Sequence, residues 1–318
     1  MHRAESEDTR IKSAGKFQDP GLTAEGRPRA RVAFAGLDTL WVNTGTLCNV
    51  ECSHCYIESS PNNDRLTYLT ATELTPFLDE ALAMNAREIG FTGGEPFMNP
   101  DMIAMTGDAL SHGFKTLILT NAMKPMMRPR VQAGILSLHR QFGNKLTLRV
   151  SLDHYSLTEH DEERGTGSFA AALDGLRWLK DNEINFTVAG RSLNGESEDE
   201  LRAGFAALFS QHDIPLDAQN AAALVIFPEM DAIKDVPEIT EACWSILNKN
   251  PQDVMCANSR MLVKRKGAPA PIILSCTLLP YDAQFEMGAS LAEASSDVKL
   301  NHPFCAQFCV LGGASCSG

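Results

Sequence analysis

The segment TLWVNTG (39–45) is followed within three residues by CNVECSHCY (48–56). The first segment has the apolar and β-branched composition that is typical of a buried strand, and the second places three thiols on one short loop. Three thiolates on such a loop can converge on one inorganic centre, and cysteine is the ligand type of iron–sulfur clusters and structural zinc. The sequence therefore predicts a metal site directly after a first strand.

Five more apolar runs follow, separated by amphipathic segments long enough to be crossover helices. We predict a helix over residues 71–85 that begins near Thr72, with an apolar stripe of Leu74, Leu78 and Leu82, and a helix over residues 168–183 with Ser168 as its N-cap. Strands separated by such helices form a parallel sheet that winds into an open or closed barrel, and ligands bind at the carboxyl ends of its strands. The predicted strands cover residues 39–45, 88–94, 116–121, 146–153, 184–190 and 223–229.

The composition excludes several classes of protein. The chain has 318 residues, a formal net charge of -12 and nine cysteines. The odd cysteine count, and the lack of an apolar targeting segment in residues 1–10, disfavour a secreted disulfide framework, so we expect reduced thiols and a cytoplasmic protein. No apolar run has the ~18–20 residues of a membrane span, and the acidic balance disfavours nucleic acids and membranes as partners. Residues 1–35 are predicted to be a polar, loosely packed extension.

A second motif, Gly93-Gly94-Glu95-Pro96, follows the second predicted strand. Paired glycines let a ligand approach the backbone, and a glutamate offers a carboxylate to an ammonium group. Together with the cysteine triplet, this motif resembles the signature of the radical S-adenosylmethionine (radical SAM) superfamily. Similar resemblances continue along the chain, in segments that cover residues 119–121, 150–153, 160–161 and 164–165.

The resemblance implies an α/β fold, with a partial (β/α)6, TIM-like barrel over residues 36–230. It implies that Cys48, Cys52 and Cys55 bind a [4Fe–4S] cluster, and that the amino and carboxylate groups of SAM chelate the fourth iron. Reductive cleavage of SAM would then give a 5′-deoxyadenosyl radical that abstracts a hydrogen atom from the substrate. Zinc, or three buried cysteines without a ligand, are the alternatives that the spacing leaves open.

Further residues take roles from the same resemblance. Tyr56 would lie near the adenine of SAM, although it can equally pack on its own loop. Gly93, Gly94 and Glu95 would lie near the methionyl amino group.

Four polar positions follow the later strands. The resemblance places Ser151 and Arg164 near the ribose or carboxylate of SAM; the alternatives are that Ser151 points into the barrel wall and that Arg164 is a surface charge. Asp153 is either a site residue or a helix-capping or turn residue. Arg191 is a weaker candidate for binding an anionic group of SAM or of the substrate.

Six of the nine cysteines lie in residues 231–318, which we expect to form a small second domain. An amphipathic helix is predicted over residues 237–249, with Cys243 in the core. Cys256 and Cys276 bracket a probable hairpin whose turn contains Gly267.

The remaining thiols form a second group in the tail. Cys305, Cys309 and Cys316 lie in a Gly- and Ser-containing loop, and the layout is similar to the SPASM and shortened "twitch" extensions of radical SAM enzymes. The spacing after Gly267 departs from that family's pattern. The resemblance implies one auxiliary [4Fe–4S] cluster, with two of these three cysteines completing the ligands; four thiolates also suit zinc.

The resemblance implies an oxidation or a bond-forming modification of a small molecule or peptide. Residues 1–35 are too short to form a peptide-recognition domain, which favours a small-molecule substrate. The resemblance implies a flavodoxin or a ferredoxin as the electron donor. A non-catalytic iron–sulfur or zinc protein, serving electron transfer or cluster assembly, is the alternative.

Overall fold

The computed structural model describes residues 15–192, 195–231 and 234–314. The strands are β1 (Arg31–Val32), β2 (Thr39–Asn43), β3 (Glu88–Thr92), β4 (Lys115–Thr120), β5 (Leu146–Ser151), β6 (Phe186–Ser192), β7 (Leu224–Pro228), β8 (Ser259–Val263), β9 (Ile272–Leu274), β10 (Glu286–Gly288) and β11 (Val298–Lys299). The helices are α1 (Ala71–Ala83), α2 (Met102–Ser111), α3 (Pro129–Phe142), α4 (Leu157–Arg164), α5 (Ser168–Asp181), α6 (Glu198–Gln211) and α7 (Cys243–Ile246), with a π-helix over Cys305–Leu311.

One sheet organises the molecule, in the order β10-β9-β8-β2-β3-β4-β5-β6-β7. Strands β2 to β7 are parallel neighbours in chain order, which confirms the α/β fold and the open, partial barrel of six strands. All five residues of β2 are buried, as expected for a parallel strand that is covered on both faces. The larger apolar core lies between this sheet and its helices, and a second apolar cluster includes the tail.

Helix α1 begins at Ala71, the first residue of the predicted range and one residue before Thr72. Thr70 is its N-cap and forms a reciprocal capping box with Glu73, which satisfies two backbone donors that the first turn leaves free. Leu74 and Leu78 are buried, but Leu82 is 50% exposed. The predicted apolar stripe is therefore right for its first two positions and wrong for the third.

Helix α5 begins at Ser168, but the predicted N-cap is wrong. Gly167 occupies the cap position with a φ of 86°, and Ser168 is the first helical residue. The carboxylate of Asp161 in α4 does the capping, since it accepts hydrogen bonds from the backbone N–H groups of Gly167 and Phe169 and from the Ser168 hydroxyl. A carboxylate brought in from the preceding helix thus replaces the local serine cap.

The cysteine-rich tail contains the predicted hairpin, and the hairpin joins the barrel sheet. Strands β8 and β9 are antiparallel, and β8 pairs in parallel with β2. The predicted helix over residues 237–249 is wrong, because only α7 forms there. Cys243 is partly buried and packs against the second apolar cluster, so its predicted place in the core holds only in part.

Residues 15–35, the described part of the first segment, are packed against the tail. Strand β1 pairs with β11, and the buried Arg29 forms an ion pair with Glu238. Residues 1–14 lie outside the described part of the chain. None of the helices that the structure describes combines the length and the apolar composition needed to cross a membrane.

Candidate functional site

A cavity of about 180 Å³ lies at the carboxyl ends of the parallel strands. Such cavities are the usual ligand sites of this architecture, because the loops after neighbouring strands meet there. Most of the residues singled out from the sequence line it together: Cys48, Cys52, Cys55, Tyr56, Gly93, Gly94, Ser151, Asp153, Arg164 and Arg191. Their convergence makes this cavity the candidate active site.

The two glycines of the second motif hold the cysteine loop against β3. Gly94 N–H donates to the carbonyl oxygen of Gly45 at 2.8 Å, and a Cβ added to Gly94 would lie 2.2 Å from the carbonyl oxygen of Leu47. Gly93 has a φ of 138°, which disfavours any other residue. The glycines therefore permit two loops to touch, besides lining the cavity.

Burial favours the protonated form of two of the barrel thiols, Cys48 and Cys52, when no metal is bound. Burial raises the pKa of Cys48 to about 12 and also raises the pKa of Cys52. Binding a metal or cluster therefore displaces protons from these thiols. Within the described ranges, no three His, Cys, Asp or Glu side chains are arranged to hold a single metal ion. A four-iron cluster spreads its ligands over several irons, and three thiols on one loop suit that arrangement.

Glu95 does not line the cavity; it is 1% exposed. Its carboxylate accepts hydrogen bonds from the Thr120 hydroxyl at 2.9 and 3.1 Å and from the backbone N–H groups of Asn121 and Phe97 at 2.8 and 3.1 Å. Burial raises the pKa of Glu95 to about 7 despite these donors. In this structure Glu95 fixes the end of β4, and its contact with a ligand's amino group remains a prediction.

A buried ion pair joins β5 to α4 at the cavity wall. Arg164 donates from Nε to Asp153 Oδ2 at 2.6 Å and from Nη2 to Oδ1 at 2.9 Å. Burial disfavours the charged form of both residues. The pairing outweighs it, because Arg164 holds the pKa of Asp153 below its usual value and Asp153 raises the pKa of Arg164. Neither residue is a surface charge, and each holds the other in place.

His160 supports this pair from behind. It is fully buried, and its Nδ1 accepts a hydrogen bond from the backbone N–H of Asp153 at 3.1 Å. Burial lowers its pKa to about 4, so the ring is neutral at pH 7 and can act as an acceptor. The sequence pointed to residues 160–161 as a motif but gave them no role.

Arg191 presents unused donors to the cavity. Its Nε and Nη2 are buried, and neither has a hydrogen-bond partner among the described residues. The guanidinium lies 4.7 Å from the centroid of the Tyr56 ring, and Nη1 is 3.7 Å from Glu163. Unsatisfied buried donors are costly, so this arrangement is suited to an anionic ligand. The weaker sequence candidate thus has the stronger structural case.

Tyr56 combines packing with a place in the cavity wall. Its hydroxyl donates to the carbonyl oxygen of Pro228 at 2.8 Å, and its ring makes edge contacts with Phe227 and Phe308. The predicted packing is present, and so is exposure to the cavity.

The tail thiols gather around a second, smaller cavity. Its wall contains Cys256, Cys276, Cys305 and Cys309, and the other lining side chains are almost all apolar. Burial raises the pKa of Cys256 to about 11 and that of Cys305 well above its ordinary value. Four thiols around one apolar cavity form a donor set that suits a fully ligated cluster. Cys316 lies outside the described residues.

The two cavities share a wall that sequence reasoning missed. Leu278 lines both, and Thr277 lines the barrel cavity. The only sequence signal for these residues is that they directly follow Cys276.

Comparison with curated proteins finds several relatives. The antilisterial bacteriocin subtilosin biosynthesis protein AlbA of Bacillus subtilis (strain 168) is 30% identical over 143 residues, which is 45% of this chain and 30% of that protein. The mycofactocin maturase MftC of Mycobacterium ulcerans (strain Agy99) is 28% identical over 174 residues, which is 53% of this chain and 43% of that protein. In both cases the match spans less than half of the relative's length.

Solved structures share the fold. SuiB of Streptococcus suis, bound to S-adenosylmethionine, superposes with a TM-score of 0.59 at 13% identity, over 80% of this chain and 64% of that chain. Native anSMEcpe with bound AdoMet gives a TM-score of 0.57 at 12% identity, over 80% of this chain and 79% of that chain. At these identities the likeness concerns the fold alone.

The family comparison covers the cysteine loop, the glycine motif and the Asp153–Arg164 pair. A profile described as the Radical SAM superfamily matches residues 42–204. Because this match extends over more than half of the 318 residues, the chain belongs to the radical SAM superfamily.

Proposed function

We propose that this radical SAM enzyme carries out an oxidative or bond-forming modification of a peptide substrate, with the help of one auxiliary cluster. The superfamily binds a [4Fe–4S] cluster and SAM, and the chain is accordingly an enzyme of SAM-dependent radical chemistry. The observation that carries the proposal is the pair of thiol-lined cavities separated by Leu278. This juxtaposition supports a reacting substrate that lies close to the tail thiols.

Cys48, Cys52 and Cys55 are the proposed ligands of the SAM-binding cluster, which when loaded supplies reductive cleavage of SAM and hydrogen-atom abstraction from the substrate. The chain's own contribution is to bind and orient the reactants and to exclude water. The cysteine loop is held for this purpose by the backbone contacts of Gly94.

The charged residues of the cavity have separate proposed tasks. The free donors of Arg191 bind a carboxylate of SAM or of the substrate, with the Tyr56 ring supporting the guanidinium. The Asp153–Arg164 pair and Ser151 lie toward the ribose or carboxylate side of SAM. Because Asp153 and Arg164 already neutralise each other, they shape the wall without adding net charge.

The tail thiols are the proposed auxiliary site. Cys256, Cys276, Cys305 and Cys309 would hold one [4Fe–4S] cluster, and Cys316 is not needed for four ligands. We propose residues 36–230 as the barrel domain and 231–318 as a twitch-like domain. A flavodoxin or ferredoxin is the proposed reductase.

A peptide substrate is favoured by the names of the similar proteins. AlbA takes part in bacteriocin biosynthesis, MftC is a maturase, and SuiB has been solved with its precursor peptide SuiA. The small-molecule expectation from the sequence remains the alternative, since other relatives are named as heme and deazaguanine synthases.

The test is anaerobic reconstitution of the full chain with iron and sulfide, followed by dithionite reduction and addition of SAM. We expect about eight irons per chain, four for each cluster, and formation of 5′-deoxyadenosine. Protein with intact clusters that forms none would favour the non-catalytic iron–sulfur alternative. Zinc without iron at the tail site would refute the auxiliary cluster.

A further inference from the structure

Arg260 on β8 is a buried cation without a carboxylate partner among the described residues. It is 1% exposed, and its guanidinium lies 4.3 Å from the centroid of the Phe34 ring. Its donors are satisfied by backbone carbonyl oxygens, which supply dipoles but no negative charge. These oxygens belong to Ala294 (2.6 Å), Cys256 (2.7 Å), Ser259 (2.7 Å) and Ser296 (3.2 Å).

An uncompensated buried charge is costly, and proteins normally pair it. The ionisable group that acts on Arg260 electrostatically is Cys256, whose carbonyl oxygen accepts its hydrogen bond. An arginine guanidinium stays charged at pH 7, so Arg260 carries a positive charge in this buried position. The cation therefore lies beside Cys256, and no carboxylate of the described residues pairs with it.

The tail site, in contrast, lacks positive charge. Four thiolates and their cluster carry net negative charge in an apolar cavity, and the other nearby basic groups contribute little. Arg29 is neutralised by Glu238.

We propose that Arg260 is the charge-compensating residue of the tail iron–sulfur site and raises its reduction potential; this inference rests on the auxiliary cluster proposed above. A fixed positive charge favours the cluster state that has gained an electron, because that state is the more negative of the two. The four carbonyl contacts hold the charge in place, so no rearrangement accompanies reduction.

The test is a reductive titration of the full chain carrying C48A/C52A/C55A, so that only the tail cluster responds. Dithionite supplies one electron per cluster, and electron paramagnetic resonance follows the reduced form. In R260Q we expect the midpoint potential to fall by at least about 59 mV. For a one-electron couple this fall corresponds to a tenfold change in the ratio of reduced to oxidised cluster at a given potential. R260K keeps the charge, so its potential is expected to lie closer to that of the parent.

A matched control removes a buried arginine whose charge is already cancelled. The double variant R29Q/E238Q deletes the neutral pair near Cys305 and is expected to leave the potential within a twofold change in the same ratio. A second route leaves Arg260 unaltered. In F34E a carboxylate beside the guanidinium should lower the potential, whereas the uncharged F34Q should not.

Unchanged potentials in R260Q and F34E, or an equal fall in R29Q/E238Q, would reduce Arg260 to a structural brace. If R260Q does not load iron, the comparison of F34E with F34Q decides. A parent variant that holds no tail iron at all would instead overturn the auxiliary site of the proposed function.

Discussion

The barrel site and the tail site both gather cysteines, but the barrel site is built on the ends of parallel strands and the tail site on loops around a hairpin. The barrel thiols face a cavity with an ion pair and the unsatisfied donors of Arg191. The tail thiols face apolar side chains, with Arg260 as the nearby uncompensated cation among the residues described. This difference agrees with the proposed roles, because a site that binds a charged ligand needs free polar groups and a site that passes electrons does not.

The largest expected effect comes from removing one set of thiols at a time. C48A/C52A/C55A should lose 5′-deoxyadenosine formation completely and retain about four irons per chain. C256A/C276A should also retain about four irons, at the barrel site, and should still cleave SAM. The measurements are iron and sulfide content and product chromatography.

The distinction between an independent barrel site and an independent tail site fails if either variant loses all eight irons. In that case the two sites assemble as one unit and are not independent. C243A is the matched control, because Cys243 lies outside both cavities.

A smaller effect is expected from G94A. The added Cβ would lie 2.2 Å from the backbone oxygen of Leu47, which cannot move without moving the cysteine loop. Displacement of reacting groups by about 1 Å costs roughly 100-fold in rate, so SAM cleavage should fall by about that factor. The tail iron should be unaffected.

The control is G107A in α2, where the added Cβ meets only the end of the Leu138 side chain at 3.3 Å. SAM cleavage by G94A at the parent rate would show that the glycine motif does not position the loop.

The smallest effect concerns pH. His160 has a folded pKa of about 4 against an ordinary value of about 6.5, so between these values the unfolded chain binds one more proton than the folded chain. Stability therefore falls as the pH falls, by roughly 2 kcal/mol from this residue between pH 7 and pH 5. Urea denaturation at several pH values should show a shallower dependence in H160Q.

His302 keeps part of the dependence in that variant, since its pKa is also lowered to about 4. An identical slope in H160Q and the parent would contradict the buried, neutral state of His160. Comparing H160Q with H302Q then assigns acid sensitivity to the barrel or to the tail.

Much of the barrel could be predicted because its strands are short apolar runs with regular spacing. All six predicted parallel strands are present, and the cysteine loop lies where the first one ends. Local sequence patterns were insufficient where the hydrogen-bond partners of a residue come from distant parts of the chain. The cap of α5 comes from Asp161 in the preceding helix, and the donors around Glu95 come from β4 and the residues beside it.

The tail was harder to predict for the same physical reason. In residues 237–249 only Ile239, Cys243 and Trp244 pack against the second apolar cluster, whereas Ile246 and Leu247 are exposed, and the helix that forms has only four residues. The shared wall at Leu278 and the isolated charge of Arg260 depend on tertiary neighbours that no sequence period reveals.

The parallel pairing of β2 with β8 has a consequence for how the chain acquires its structure. Leu40 lies opposite Arg260 in this pairing, so the partner of an early strand is synthesised some 220 positions later. Contacts between such distant residues form slowly, and until they form the outer edge of β2 is an open strand edge. The loop that carries Cys48 leaves from that strand. The strand that leads into the Cys48 loop therefore gains its outer partner only after the tail has been synthesised, although the tail contributes none of the proposed cysteine ligands of the barrel site.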